Sequence, residues 1–307
     1  MPGGSLPTRR AVAPTLCLLL AACATLPRRD ASSRVDFTVD TVRADGRPAV
    51  AGAPAADSSD GSDGVEGRRP RAVQPERPSV ATHAGTVAPG YLEVESGFER
   101  DRSDDGSTLG SVPTLLKIGL APRAQLSIQL PVVGGTDTRS GLGDVAVGVK
   151  WRIVEDDPLL QDFAVLPQVK FATGGDRGTG TTDVSLLLID SRTVGPVGID
   201  LNVGVTRRSG DGSQVPRTAT LWAVAAGIPL HGPLGWALET FGYPGTGGAV
   251  GAPPIVAILT GPTLMLRPEL EVDAGVIIPV VGSPPRGLYA GFVTNLGRLP
   301  RFPLSPR

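Results

Sequence analysis

Val197-Gly198-Ile199-Asp200-Leu201-Asn202-Val203-Gly204-Val205-Thr206 sets an aliphatic side chain at every odd position and a small or polar one at every even position. Successive side chains of a strand point to opposite faces, so this stretch has one apolar face and one face of Gly, Asp, Asn and Thr. The same period of two runs through Val145, Val147, Val149, Trp151 and Ile153 against Asp144, Ala146, Gly148, Lys150 and Arg152. It returns in Leu126, Ile128 and Leu130 against Gln125, Ser127 and Gln129, and in Leu270, Val272, Ala274 and Val276 against Glu269, Glu271, Asp273 and Gly275. About twelve such segments follow Gly90, near 90–100, 110–120, 123–132, 143–154, 161–173, 182–193, 197–207, 217–229, 235–243, 254–266, 268–278 and 286–297. They exceed the five or six residues of an ordinary soluble strand and suit tilted strands that cross a bilayer.

The connections alternate in length. Polar stretches at 101–109, 133–142, 174–181, 208–216 and 244–253 separate some neighbours, whereas Ala121-Pro122, Val194-Gly195-Pro196 and the junction at Arg267 join others almost directly. Long loops at one end and tight turns at the other are the hairpin pattern of outer-membrane barrels. The fold class predicted is all-β: a transmembrane antiparallel up-and-down β-barrel of about twelve strands over residues 90–297, with an irregular tail at 298–307. Lys occurs only at 117, 150 and 170, and the polar faces are mostly Gly, Ala, Ser and Thr. Small residues with isolated charges suit the crowded inside of a narrow barrel better than a water-facing sheet. The aromatics Tyr91, Phe98, Trp151, Phe163, Phe171, Trp236, Tyr243 and Tyr289 lie mostly near strand ends, where interfacial girdles form.

The N-terminus has the features of an export signal. Arg9 and Arg10 precede Ala11–Leu26, a charge-free run too short for a spanning helix. Leu20-Ala21-Ala22-Cys23 resembles a lipobox, which makes Cys23 the candidate site of lipid attachment; Ala22-Cys23-Ala24 also fits ordinary cleavage. Residues 1–23 are therefore read as a signal peptide. Residues 24–89 are read as a disordered linker, because 27–89 hold nine acidic and nine basic side chains, seven prolines, six glycines and one aromatic, Phe37.

Pro113-Thr114-Leu115-Leu116-Lys117-Ile118-Gly119-Leu120-Ala121-Pro122-Arg123-Ala124-Gln125-Leu126 resembles the strand–turn–strand signature of a family of bacterial outer-membrane barrels assigned to transport in the phenol meta-cleavage degradation pathway. Gly141-Leu142-Gly143-Asp144 with Gly148-Val149-Lys150-Trp151-Arg152 is similar to the family's next hairpin. Leu238-Glu239-Thr240-Phe241-Gly242 and Leu270-Glu271-Val272-Asp273 resemble two of its late strands. The resemblance covers roughly 90–297 and implies an association with uptake of aromatic compounds. At the end the chain departs from the family pattern, running through Pro300 and Pro303 instead of closing on a terminal aromatic.

Composition narrows the chemistry. With 29 basic against 30 acidic residues the footprint of a nucleic-acid binder is missing. Two histidines and two cysteines leave little material for a metal site or a nucleophile pair. His231 lies in a Leu-His-Gly-Pro turn without a nearby serine, and Thr173–Gly180 lacks the Lys-Ser/Thr ending of a phosphate loop. Asp101, Asp104 and Asp105 lack the spacing and the bidentate Glu of a calcium loop. No enzyme activity and no cofactor are expected, and outer-membrane lipid is the expected partner. The candidate lumen-lining residues are Glu93, Glu95, Lys117, Asp144, Lys150, Arg152, Asp200, Glu239, Glu271 and Asp273, with Glu99, Lys170 and Glu269 on the same faces. They read either as a selectivity lining for small solutes, apolar or aromatic ones among them, or as mutually paired charges that close a narrow barrel. The functions left open are a transporter or pore, a non-conducting structural or surface-interaction barrel, and a periplasmic lipid-binding β protein.

Overall fold

In the computed structural model, described over residues 71–77, 79–135 and 139–300, fifteen strand segments form one antiparallel sheet that closes on itself. They are β1 (Tyr91–Arg102), β2 (Thr108–Val112), β3 (Thr114–Ala121), β4 (Ala124–Gln129), β5 (Val132–Gly135), β6 (Gly141–Leu142), β7 (Ala146–Asp157) and β8 (Gln161–Lys170). Then follow β9 (Asp183–Val194), β10 (Val197–Arg208), β11 (Thr218–His231), β12 (Leu234–Tyr243), β13 (Ile255–Arg267), β14 (Leu270–Val281) and β15 (Arg286–Arg298). Three of the crossings are broken in two. Pro113 separates β2 from β3; β2 pairs with the far end of β1 while β3 pairs with its near end. β4 with β5, and β6 with β7, follow the same split. Counting each broken pair once gives the twelve-stranded barrel predicted, closed by β1 against β15 from Tyr91↔Arg298 to Arg102↔Arg286.

Alternation decides which side chains meet lipid. On β10, Leu201, Val203 and Val205 are exposed on the outer wall, while Asp200, Asn202 and Thr206 are buried inside. Val149 and Trp151 of β7 point out; Lys150 and Arg152 point in. A twelve-residue strand extends roughly 40 Å and, tilted by about 40°, crosses about 30 Å, the thickness of a bilayer core. Connections 122–123, 195–196, 232–233 and 268–269 gather at one end; 103–107, 171–182, 209–217 and 244–254 gather at the other. Gly195-Pro196 and Gly232-Pro233 place a glycine at positive φ (61° and 56°) before a proline, the residue order of a II′ hairpin turn.

Two expectations need correction. Residues 71–77 and 79–89, assigned by composition to the disordered linker, pack inside the barrel, with Val73, Glu76, Arg77, Ser79–Ala84 and Val87 buried. The aromatic girdle is only partly formed: Phe98, Trp151, Phe171 and Trp236 face outward, but Tyr243 and Tyr289 turn into the lumen. The signal, Cys23, residues 24–70 and the tail beyond Pro300 lie outside the described residues.

Candidate functional site

All ten candidate lumen residues are buried on the inward rows of their strands or, for Asp144, just before β7. Most do not line open space. They hold the segment 71–89, which enters and leaves by the short-turn end: Val73 N–H donates to the Pro268 carbonyl, and Thr86 Oγ1 to that of Pro122. Between these points the chain follows no sheet register, and its prolines supply no N–H, so its remaining donors need partners from the wall. Glu93 accepts from Gln74 N (3.0 Å) and Glu95 from Glu76 N (2.8 Å). Glu239 accepts from both Val80 N and Ala81 N at 2.8 Å. Asn202 accepts from Thr82 N and returns a bond to its carbonyl, at 2.7 and 2.8 Å. Ser191 Oγ accepts from Ala84 N and donates to Asp200, and Gln125 accepts from Val87 N. The recognition is of backbone, made by six side chains spread over five strands.

Beneath it lies a charge cluster. Lys117 Nζ sits 2.7 Å from Glu93, also contacts Glu95, and donates to the Gln74 carbonyl. Lys150 bonds Glu76 at 2.6 Å and the His83 carbonyl at 3.0 Å, and Gln125 adds a bond to Glu76 at 2.8 Å. Burial opposes ionisation of Glu76, but Lys150 and Lys117 outweigh it and hold its carboxyl down at about 2. Burial, with Lys150 beside it, keeps the His83 imidazole neutral by pushing its pKa well below 6.5. Arg77 pairs with Asp273 (3.6 Å) and lies against Gly97 and Gly291, which face each other in the register of β1 and β15; a Cβ on either would strike the guanidinium. Glu271 is buried beside Asp273 on the inward row of β14.

Above the segment the wall turns apolar. Leu166, Leu187, Ile189, Leu221, Phe241, Leu259, Ile277 and Tyr289 form one packed cluster with Val80, Ala81 and Ala84 of the segment. A cavity of about 20 Å³ beside it, against Gly204, Leu187 and Leu221, has room for roughly one water. At the long-loop end, Asp144 accepts from Gly174 N (2.9 Å) and Thr179 N (2.8 Å) and pairs with Lys170 (3.0 Å), which also pairs with Asp183 (3.1 Å). The glycine-rich stretch at 173–180 is thus tied down. Arg152 pairs with Glu155 and Asp162 near the short turns, and His231 is exposed at the end of β11. Among the described residues no group of three His, Cys, Asp or Glu side chains could hold a metal ion.

Sequence reasoning overlooked the segment's own Glu76, Arg77 and His83, and the apolar cluster. A signal for the first exists: every charge of 27–89 lies at or before Arg77, and residues 78–92 carry none.

Residues 76–278 match the family model described as "Putative MetA-pathway of phenol degradation". No curated protein matches the chain. Among solved structures the chain is similar to an outer membrane channel from Pseudomonas putida F1, at 12% identity over 69% of this chain and 98% of that one, with a TM-score of 0.55. It is also similar to the β domain of the Bordetella autotransporter BrkA (14% identity, 66% and 98% covered, TM-score 0.38) and to OmpF of Salmonella typhi (10%, 67% and 97%, 0.33). The first of these likenesses is one of fold and makes the barrel one of the outer-membrane kind. The family match opens at Glu76, inside the lumen segment rather than at β1, and spans most of the chain, so the protein belongs to this phenol-degradation family.

Proposed function

We propose that the protein is an outer-membrane channel for small, largely apolar solutes, aromatic ones among them, and that it works without catalysis. The observation that carries this reading is the inner cluster of Leu166, Leu187, Ile189, Leu221, Phe241, Leu259 and Ile277. Lipid requires apolar residues on the outer wall only, and a water-filled pore has polar side chains inside. Large aliphatic side chains on the inner face therefore suit a pathway for apolar molecules. The short turns belong on the periplasmic side, with residues 24–70 as a periplasmic tether and Cys23 as its lipid anchor. Mass spectrometry of the mature N-terminus tests the anchor: a free amino terminus at Thr25 rejects it.

Small apolar molecules cross phospholipid unaided, so the test needs vesicles with lipopolysaccharide in the outer leaflet. Protein-bearing vesicles should take up radiolabelled toluene faster than protein-free ones, with no such gain for glucose. Equal toluene uptake rejects the reading. The second reading, a non-conducting barrel, is favoured by one observation, the lumen held by residues 71–89, and would then stand.

A further inference from the structure

The apolar cluster is occupied by the chain itself. Val80, Ala81 and Ala84 pack against Leu166, Ile189, Phe241 and Tyr289, and Ala81 and Ala84 are wholly buried. Their position is fixed by main-chain N–H groups donating to Glu239, Asn202 and Ser191, which would hold almost any side chain equally well. Three small apolar side chains thus stand where a small apolar molecule would bind. Both ends of the segment leave by the same mouth, at the turns carrying Pro268 and Pro122. A loop inserted in this way withdraws without threading a chain end through the barrel. Its base has separate anchors, in the Glu76–Lys150 pair and the bond from Val87 to Gln125.

We propose that residues 79–84 are a displaceable occupant of the solute site: a small apolar solute competes with Val80, Ala81 and Ala84 for the same wall, and the tip retreats toward the short-turn end as the solute binds. The proposal rests on the channel reading and adds that the solute opens its own path. A solute can shift such an equilibrium only by binding the open state better than the closed one, and here the closed state leaves it no room.

The test uses the full chain carrying Ala81→Cys, since no native cysteine lies beyond position 23. A membrane-impermeant maleimide should label this cysteine at least about tenfold faster with saturating toluene, while glycerol at equal concentration leaves the rate unchanged; scoring is against the unsubstituted protein. Equal rates with toluene and glycerol overturn the proposal. A second variant, Thr82→Cys with Asn202→Cys, ties the tip to β10 by a disulfide. Toluene uptake into lipopolysaccharide vesicles should be lost on oxidation and restored by reduction. Uptake that ignores a confirmed disulfide overturns the displacement and leaves the channel standing. Faster labelling with toluene but no uptake even after reduction supports displacement and rejects the channel.

Discussion

Replacing Glu239 by leucine isolates the hold of the wall on the segment. The carboxylate accepts the N–H groups of Val80 and Ala81, both at 2.8 Å, and is itself buried. Leucine keeps the volume and removes both acceptors. A buried donor left without a partner costs about 1–3 kcal/mol, so two cost about 2–6 kcal/mol. Leucine recovers part of this by adding apolar surface to a cluster that already holds Phe241 and Leu259, which brings the net to about 2–4 kcal/mol. At 1.4 kcal/mol per factor of ten, the tip should open about 30- to 700-fold more often. The barrel itself should be spared, because β12 is held to β11 and β13 by backbone pairing on both sides of Glu239, at Ala225 and Leu259. Maleimide labelling of Ala81→Cys in the Glu239→Leu background reads the opening, and heat-modifiable gel migration reads the barrel. Glu239→Gln, which keeps one acceptor oxygen, should fall between. Labelling within twofold of the Ala81→Cys parent refutes the argument, and loss of the folded band shows that Glu239 serves the barrel instead.

Three further outcomes are expected. Val203→Arg, at the middle of the outer face of β10, should cost about 2–4 kcal/mol in reversible unfolding, whereas Asn202→Ala should loosen the segment and leave barrel stability nearly unchanged; equal losses would refute the facing assigned to β10. Acid should release the tip. His83 is neutral when docked and protonates below about pH 6.5 when free, so docking is complete above that pH and weakens about tenfold by pH 5.5. His83→Asn should abolish this step, measured as labelling normalised to free cysteine at each pH; between pH 4.5 and about 2, protonation of Glu76 should loosen the base of the segment in turn. Asp144→Ala should free the stretch 173–181 and speed its proteolysis severalfold with the barrel intact, since the carboxylate holds Gly174, Thr179 and Lys170 together.

Much of the barrel was legible because lipid imposes a rule that sequence records directly. A strand such as Val197–Arg208 must show an apolar side chain outward at every second position, and a slip of one residue would turn Asp200 and Asn202 into the bilayer. The alternation of long and short connections then gave strand number and direction. The inner cluster escaped for the opposite reason. In β9, Val184 to Ile189 is apolar at five of six positions, so the two faces look alike, and period-two reading cannot tell lipid-facing Leu186 from lumen-facing Leu187. Tyr243 and Tyr289 were placed in a girdle because strand-end position says nothing about facing; parity within the strand does. Odd positions of β12 and of β15 point inward, so Tyr243 follows Glu239 and Phe241, while Tyr289 precedes Val293.

The segment at 71–89 was lost by averaging. Taken over 27–89, charge and proline content describe a chain unable to bury itself, but all eighteen charges lie at or before Arg77 and the remainder has a different composition. A second clue lay in the wall. Of the ten lumen residues singled out, seven are carboxylates and three are cations, Lys117, Lys150 and Arg152. Mutual pairing cannot satisfy seven buried acids with three bases, and carboxylates left bare in a closed barrel would be costly. The imbalance calls for a further source of donors inside the lumen. A polypeptide supplies one N–H at every residue except proline, and Arg77 adds a cation opposite Asp273. The excess of acid on the wall and the charge-poor stretch before β1 are therefore two halves of one interaction. Each half alone had a plausible separate explanation, as a selectivity lining in one case and a linker in the other. Their complementarity shows only when donors and acceptors are counted across both.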